Sequence, residues 1–344
     1  MVESHYDDVR FLTLTRISMS DNLAAVDPRG SRRIIASADS TLWAQVDRRP
    51  FAFQHHLADD PLFDLDRLAK LAKHADDVRG SRTHISRKAH PVTMSIADRI
   101  LHLDESDDWI KISYANKLDD DYRRIHDRLL EEIESLSGMP IRSALSWSGL
   151  TIFMNSPNLV VPYHFDHETN FLMQVRGIKD VEIFDQSDRS ILTEREIERF
   201  YFGDAMAGRY RSEFENCASS FVLEAGDAVH HPPLAPHRIF NRDRISISVS
   251  LFFSFPEADR RAHVYQVNSI IRHCRLKPMP PGRRLFVDQV KIILMRTISR
   301  CKPKDQSQTL FSGVRRLEFP RRAVRKVLRA LGRHAGRNGL KITS

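Results

Sequence analysis

The sequence predicts a mainly β core with flanking helices, of the sandwich, jelly-roll or barrel kind. Three observations carry this. Short β-rich runs separated by turn residues fill the stretch from Ser143 to Phe255, as in LTIFM, NFLMQV, KDVEIF, SFVLEAGDAVHH and RISISVSLFF. Before and after it, apolar residues recur at helical spacing. Gly138 and Pro140 punctuate the first change of period and Pro256 the second. The division that follows is 1–142, a mixed region whose helices pack on the core; 143–256, the β core; and 257–344, helical and basic.

Taken in order, the first fifty residues show no clear period and read as loop and short strand. A helix begins near Asp64, a capping carboxylate, with Leu65, Leu68, Ala69 and Ala72 on one face. Asp77 to Asp108 is polar and irregular. A firmer helix spans Asp119 to Leu136, with Tyr122, Ile125, Leu129 and Ile133 aligned and Gly138 and Pro140 ending it. In the β region, Leu150, Ile152 and Met154 alternate with Thr151 and Phe153, and Ile245 to Ser250 alternates strictly. One helix interrupts it, over Thr193–Phe202. A further helix runs from Glu257 to Arg275, and Pro278, Pro280, Pro281 and Gly282 mark a linker. Leu285–Ile298 is apolar enough to pack on something, and Glu318–Arg333 is a short basic amphipathic helix.

Composition narrows the function. A chain of 344 residues, 41% hydrophobic and 28% charged, is globular and can bury a full core. Three scattered cysteines, Cys217, Cys274 and Cys301, form no CxxC, so a disulfide framework and a cysteine zinc site are not expected. The acidic start MVESHYDDVR does not read as a secretory leader, and no apolar run is long enough to span a bilayer. A cytoplasmic setting is the expectation. The net charge of +8 is unevenly spread: Arg283–Ser344 holds 17 Lys and Arg against 3 acidic residues, leaving 36 against 42 in the rest. The basic character therefore belongs to the C-terminal region, where an anionic partner is one expectation and a solvated helix the other.

The chemistry concentrates in VVPYHFDHETN. In a strand, residues two apart share a face, so His164 and Asp166 can present an imidazole and a carboxylate to one metal ion. His237, in GDAVHHPPLAPHRIFN, is the natural third ligand. Two histidines and one carboxylate on one face of an octahedron leave positions for a bidentate co-substrate and O₂, the arrangement of non-haem Fe(II) oxygenases. Lys179 heads an otherwise apolar strand thirteen residues after Asp166 and suits the carboxylate of a bound acid. His167, His230 and His231 read as neighbours and not ligands, the last two alternating in and out of their strand.

The stretch HFDHETNFLMQVRGIKDVEIF resembles the Jumonji C (JmjC) hydroxylases, in particular the asparaginyl-hydroxylase-like branch with a cupin-type core. His164, Asp166, Asn170, Gln174, Gly177 and Lys179 fill that pattern, and Gly226, Asp227, Pro232 and His237 fill a second block, over roughly residues 145–255. The resemblance implies a double-stranded β-helix. It also implies Fe(II) held by His164, Asp166 and His237, 2-oxoglutarate as co-substrate, Lys179 on its distal carboxylate, and Asn170 as a contact. Val161 stands where this branch usually has Thr, and Ser250 where it has Asn. Arg244-Ile245-Ser246 offers a second candidate anchor, at a shorter spacing from His237 than is usual. The implied function is an oxygenase that hydroxylates a protein side chain or a small molecule. Two alternatives stay open: a non-catalytic binding or regulatory module using its basic tail, and a metal-dependent cupin isomerase or sugar-modifying enzyme.

Overall fold

The computed structural model describes residues 33–36, 39–58, 60–77, 83–85, 94–299, 310–311 and 314. The basic helix expected over Glu318–Arg333, Cys301, and most of the tail beyond residue 299 lie outside them. Two compact units are present, residues 1–193 with 208–256, and residues 194–207 with 257–344.

Among the described residues, all strands belong to the first unit, in two antiparallel sheets. The strands are β1 Phe51–Gln54, β2 Thr83–Ile85, β3 Trp109–Ile112, β4 Trp147–Asn155, β5 Val160–His164, β6 Thr169–Arg176, β7 Lys179–Ile183, β8 Ser219–Leu223, β9 Asp227–His231, β10 His237–Asn241 and β11 Ser246–Ser254. Seven strands line up as β1-β9-β6-β11-β4-β3-β2 and four as β5-β10-β7-β8. From β4 to β7 and from β8 to β11 each strand lies in the other sheet from the one before it, which makes the core a jelly roll and leaves β6 and β11 central in the larger sheet. Strands from before residue 143 extend that sheet, with β1 against β9 and β3 against β4. Nothing local announces those pairings.

Alternation along β6 and β11 sorts the two faces. Phe171, Met173, Val175, Val249, Leu251 and Phe253 join one core with Trp43, Leu68, Tyr122, Leu129 and Ile133 from the N-terminal helices. Leu172 faces the other way and packs with Val181, Ile183, Phe221, Leu223, Val229 and Ile239, the layer between the sheets. The helix Asp120–Ser137 forms as its sequence dictates: the Asp119 side chain caps the Asp121 N–H at 2.8 Å, and Gly138 closes the end in the left-handed region at φ 69°. Within Asp77–Asp108, read as irregular, a short helix spans Ile96–Leu101, started by Ser95, whose side chain accepts from the Asp98 N–H.

Gly177 is the tightest backbone position. It turns β6 into β7 at φ 77°, and a Cβ there would lie 2.3 Å from the Ile245 carbonyl oxygen. Gly177→Ala therefore combines a left-handed backbone with a backbone clash. A loss of roughly 2–4 kcal/mol of folding stability is expected, measurable as a shifted urea midpoint; an unchanged midpoint would show that the turn can relax.

In the second unit, Val267, Met295 and Val314 form a small core. Arg272 clasps the carboxylate of Glu198 with two hydrogen bonds, at 2.5 and 2.9 Å. The helix Leu285–Ser299 packs on one side only. Ile292 and Met295 are buried, whereas Phe286, Val290, Ile293 and Leu294 face solvent. Among the described residues, no helix is long and apolar enough to cross a membrane.

Candidate metal centre

His164 ends β5 and His237 begins β10, and the ladder between these strands sets them directly opposite each other. Their ring centroids lie 4.3 Å apart. A hydrogen bond from the Leu234 N–H to the Asp166 carbonyl, at 2.8 Å, ties the loop before His237 to the segment after His164. The consequence is convergence: one ligand atom from each of His164, Asp166 and His237 falls within 4.8 Å of the others. His237 Nε2 lies 3.9 Å from Asp166 Oδ2.

The protein also fixes which nitrogens are free. His164 Nδ1 lies 2.8 Å from the Pro162 carbonyl and His237 Nδ1 lies 3.0 Å from that of Ala235. A carbonyl only accepts, so both Nδ1 atoms carry the proton and both Nε2 lone pairs are left for a metal. Burial pushes His237 down to about 4, with the neighbouring His164 adding to the shift, so its ring is neutral at pH 7. Two imidazoles and one carboxylate form a mixed N/O donor set that suits a divalent transition metal.

Lys179 opens β7 from the inner face of the four-stranded sheet and is 2% exposed. Its Nζ donates to Ser248 Oγ, which donates to Gln174 Oε1 at 2.8 Å; Gln174 Nε2 in turn donates to Ser246 Oγ at 3.0 Å. Among the described residues, no carboxylate pairs with the lysine. Burial alone pulls it down to about 7. Arg244, the other candidate anchor, is exposed in the turn before β11.

The remaining candidates separate cleanly. Asn170 is half-buried on β6; its Oδ1 accepts from Ser250 Oγ at 3.1 Å, and its Nδ2 donates to the Glu168 carbonyl. His167 lies outside the triad, 2.9 Å from Ser254 Oγ and stacked on Trp147. His230 and His231 do alternate. His230 is in the helix-side core, stacked on Phe171, with Nδ1 donating to the Asn170 carbonyl and Nε2 accepting the Asp47 N–H. His231 faces the other way, with its ring edge-on to His237. The chain Lys179–Ser248–Gln174–Ser246 was not legible beforehand as a unit, although Ser246, Ser248 and Ser250 share a strand face whose serines are conspicuous among apolar neighbours.

Residues 45–259 match the cupin-like domain family. No curated protein matches the chain. Among solved structures, the X-ray structure of Escherichia coli YcfD is similar at 16% identity and a TM-score of 0.46, over 79% of this chain and 70% of that one. YcfD described as a ribosomal oxygenase in complex with cobalt and 2-oxoglutarate aligns at 16% identity and a TM-score of 0.41, over 78% and 68%. SnoN, a non-heme alpha-ketoglutarate-dependent epimerase from nogalamycin biosynthesis, aligns at 13% identity and a TM-score of 0.38, over 63% and 83%. With its family match spanning well over half the sequence, both sheets of the jelly roll included, the chain belongs to the cupin-like domain family.

Proposed function

We propose that this protein is an Fe(II)- and 2-oxoglutarate-dependent oxygenase, with His164, Asp166 and His237 holding the metal and Lys179 pairing with the distal carboxylate of the co-substrate. The observation that carries this is a buried lysine with no acidic partner among the described residues, in the same jelly roll as a convergent His-Asp-His set. An uncompensated buried ammonium is costly. An acid bound by the metal at one end and by the lysine at the other removes that cost.

Each side chain has a distinct task. The Nε2 atoms of His164 and His237 and the Asp166 carboxylate hold the metal on one face. Lys179 orients the acid, and the Ser248–Gln174 chain keeps the lysine from swinging away. The apolar layer of Leu172, Val229 and Ile239 helps keep water out of the barrel. Bound there, Fe(II) with 2-oxoglutarate and O₂ would supply the oxidising power for insertion of oxygen into a C–H bond. Hydroxylation of a protein side chain or of a small molecule both fit this site.

The test is succinate formation from 2-oxoglutarate under air, with Fe(II) and without added substrate. Slow uncoupled turnover is expected in the wild type and background in Asp166→Ala. Equal rates in the two would overturn the proposal.

A further inference from the structure

His231 is 4% exposed, and its Nε2 makes no hydrogen bond. It sits on β9 directly opposite Asn170 of β6, with its ring edge-on to His237 at a centroid distance of 4.7 Å. Its ring therefore adjoins the metal set, on the face of β9 that carries Val229 into the layer between the sheets. It is not one of the three residues whose ligand atoms converge. An imidazole nitrogen can carry an N–H, and a buried donor without a partner is unfavourable. Neighbouring polar groups are committed elsewhere: Asn170 to Ser250 and the Glu168 carbonyl, Ser248 to Lys179 and Gln174. Val161 and Val229, which border the same layer, offer nothing polar.

Resting on the oxygenase function proposed above, we infer that His231 is a co-substrate-binding residue, whose Nε2–H donates a hydrogen bond to a metal-side oxygen of the bound 2-oxo acid. Lys179 would then hold the far carboxylate and His231 the near end, so that the acid is fixed at two points besides the metal.

The experiment measures 2-oxoglutarate binding by calorimetry to Mn(II)-loaded protein without O₂, and Mn(II) binding separately. His231→Leu is expected to weaken 2-oxoglutarate by about ten-fold or more, the loss of one hydrogen bond to a charged acceptor, and to leave Mn(II) affinity unchanged. His231→Gln, which can place an N–H at a similar reach, is expected to recover most of the loss. His231→Phe keeps the ring's bulk and serves in place of the leucine variant if that one does not fold. Unchanged 2-oxoglutarate affinity in the variant lacking the nitrogen overturns the inference. So does a loss of Mn(II) affinity, which would make His231 a ligand, or a glutamine variant no better than the leucine one. Wild-type protein that binds Mn(II) but no 2-oxoglutarate removes the oxygenase function itself, and the inference with it.

Discussion

Lys179→Met should make the ligand-free protein more stable while abolishing its response to 2-oxoglutarate. The lysine is buried and lacks an acidic partner among the described residues, so its desolvation is repaid only by the hydrogen bond to Ser248. Methionine has similar length and no charge to desolvate, and Ser248 keeps its bond to Gln174. Replacing buried charge with an apolar side chain of similar volume commonly gains about 1–4 kcal/mol. The pH dependence identifies the cause. The ammonium falls from 10.5 in the unfolded chain to about 7 in the native one. Between those values the unfolded chain holds a proton that the native state does not, so wild-type stability rises as pH climbs from 7 towards 10.5. Below 7 both states are protonated and the cost is present in full. The advantage of the methionine variant should thus be widest below pH 7 and close as pH rises. Urea denaturation at pH 6 and pH 9 reads this directly, and added 2-oxoglutarate with Mn(II) should raise the wild-type midpoint only. A variant less stable than wild type at pH 6 would mean that the lysine is held by more than the structure offers. The gain in stability at the expense of binding is the usual trade at a ligand site.

The sequence makes the ligand set legible for a simple reason. His164 and Asp166 are two apart in an extended segment, and a strand's period brings them together without any tertiary knowledge. The helix Asp120–Ser137 was as readable, because a capping aspartate, an apolar stripe and a terminal glycine are all local signals. Long-range register was not. The pairing of β1 with β9 joins Phe51 to His230, and no local pattern encodes a partner so distant along the chain. His231 shows the limit most clearly. Alternation says that one of His230 and His231 faces inward, but only the β6–β9 register, with Asn170 opposite His231, says which one. Ser248 is similar: its part in fixing Lys179 depends on the shift between Ile247 and Ser248, where β11 slips against β6. Gly177 lies between these cases. Its need for a left-handed turn is a local expectation, but the approach of the Ile245 carbonyl is not.

Removing one member of the convergent set should cost the metal, and removing its histidine neighbours should not. Asp166→Ala and His237→Ala are each expected to weaken Co(II) binding by at least about 100-fold, beyond the 10–100-fold typical of outer-shell changes. The geometry behind this is specific. Both Nδ1 protons are tied to backbone carbonyls, so each ring has only Nε2 to give, and no rotation about the ring supplies a second donor without breaking that bond. Asp166 contributes the negative charge that imidazole ligands lack. Three ligands already form a minimal set, so the loss of one leaves two, with solvent filling the rest of the coordination sphere. His167→Ala is the control. That ring faces Ser254 and stacks on Trp147, so its removal should shift Co(II) affinity by less than about three-fold, within the range of an indirect packing change. Titration of each variant by the visible absorption of Co(II), with circular dichroism to establish folding, separates the two groups. If His167→Ala lost the metal and His237→Ala kept it, the ion would be bound beside His167 and not between β5 and β10.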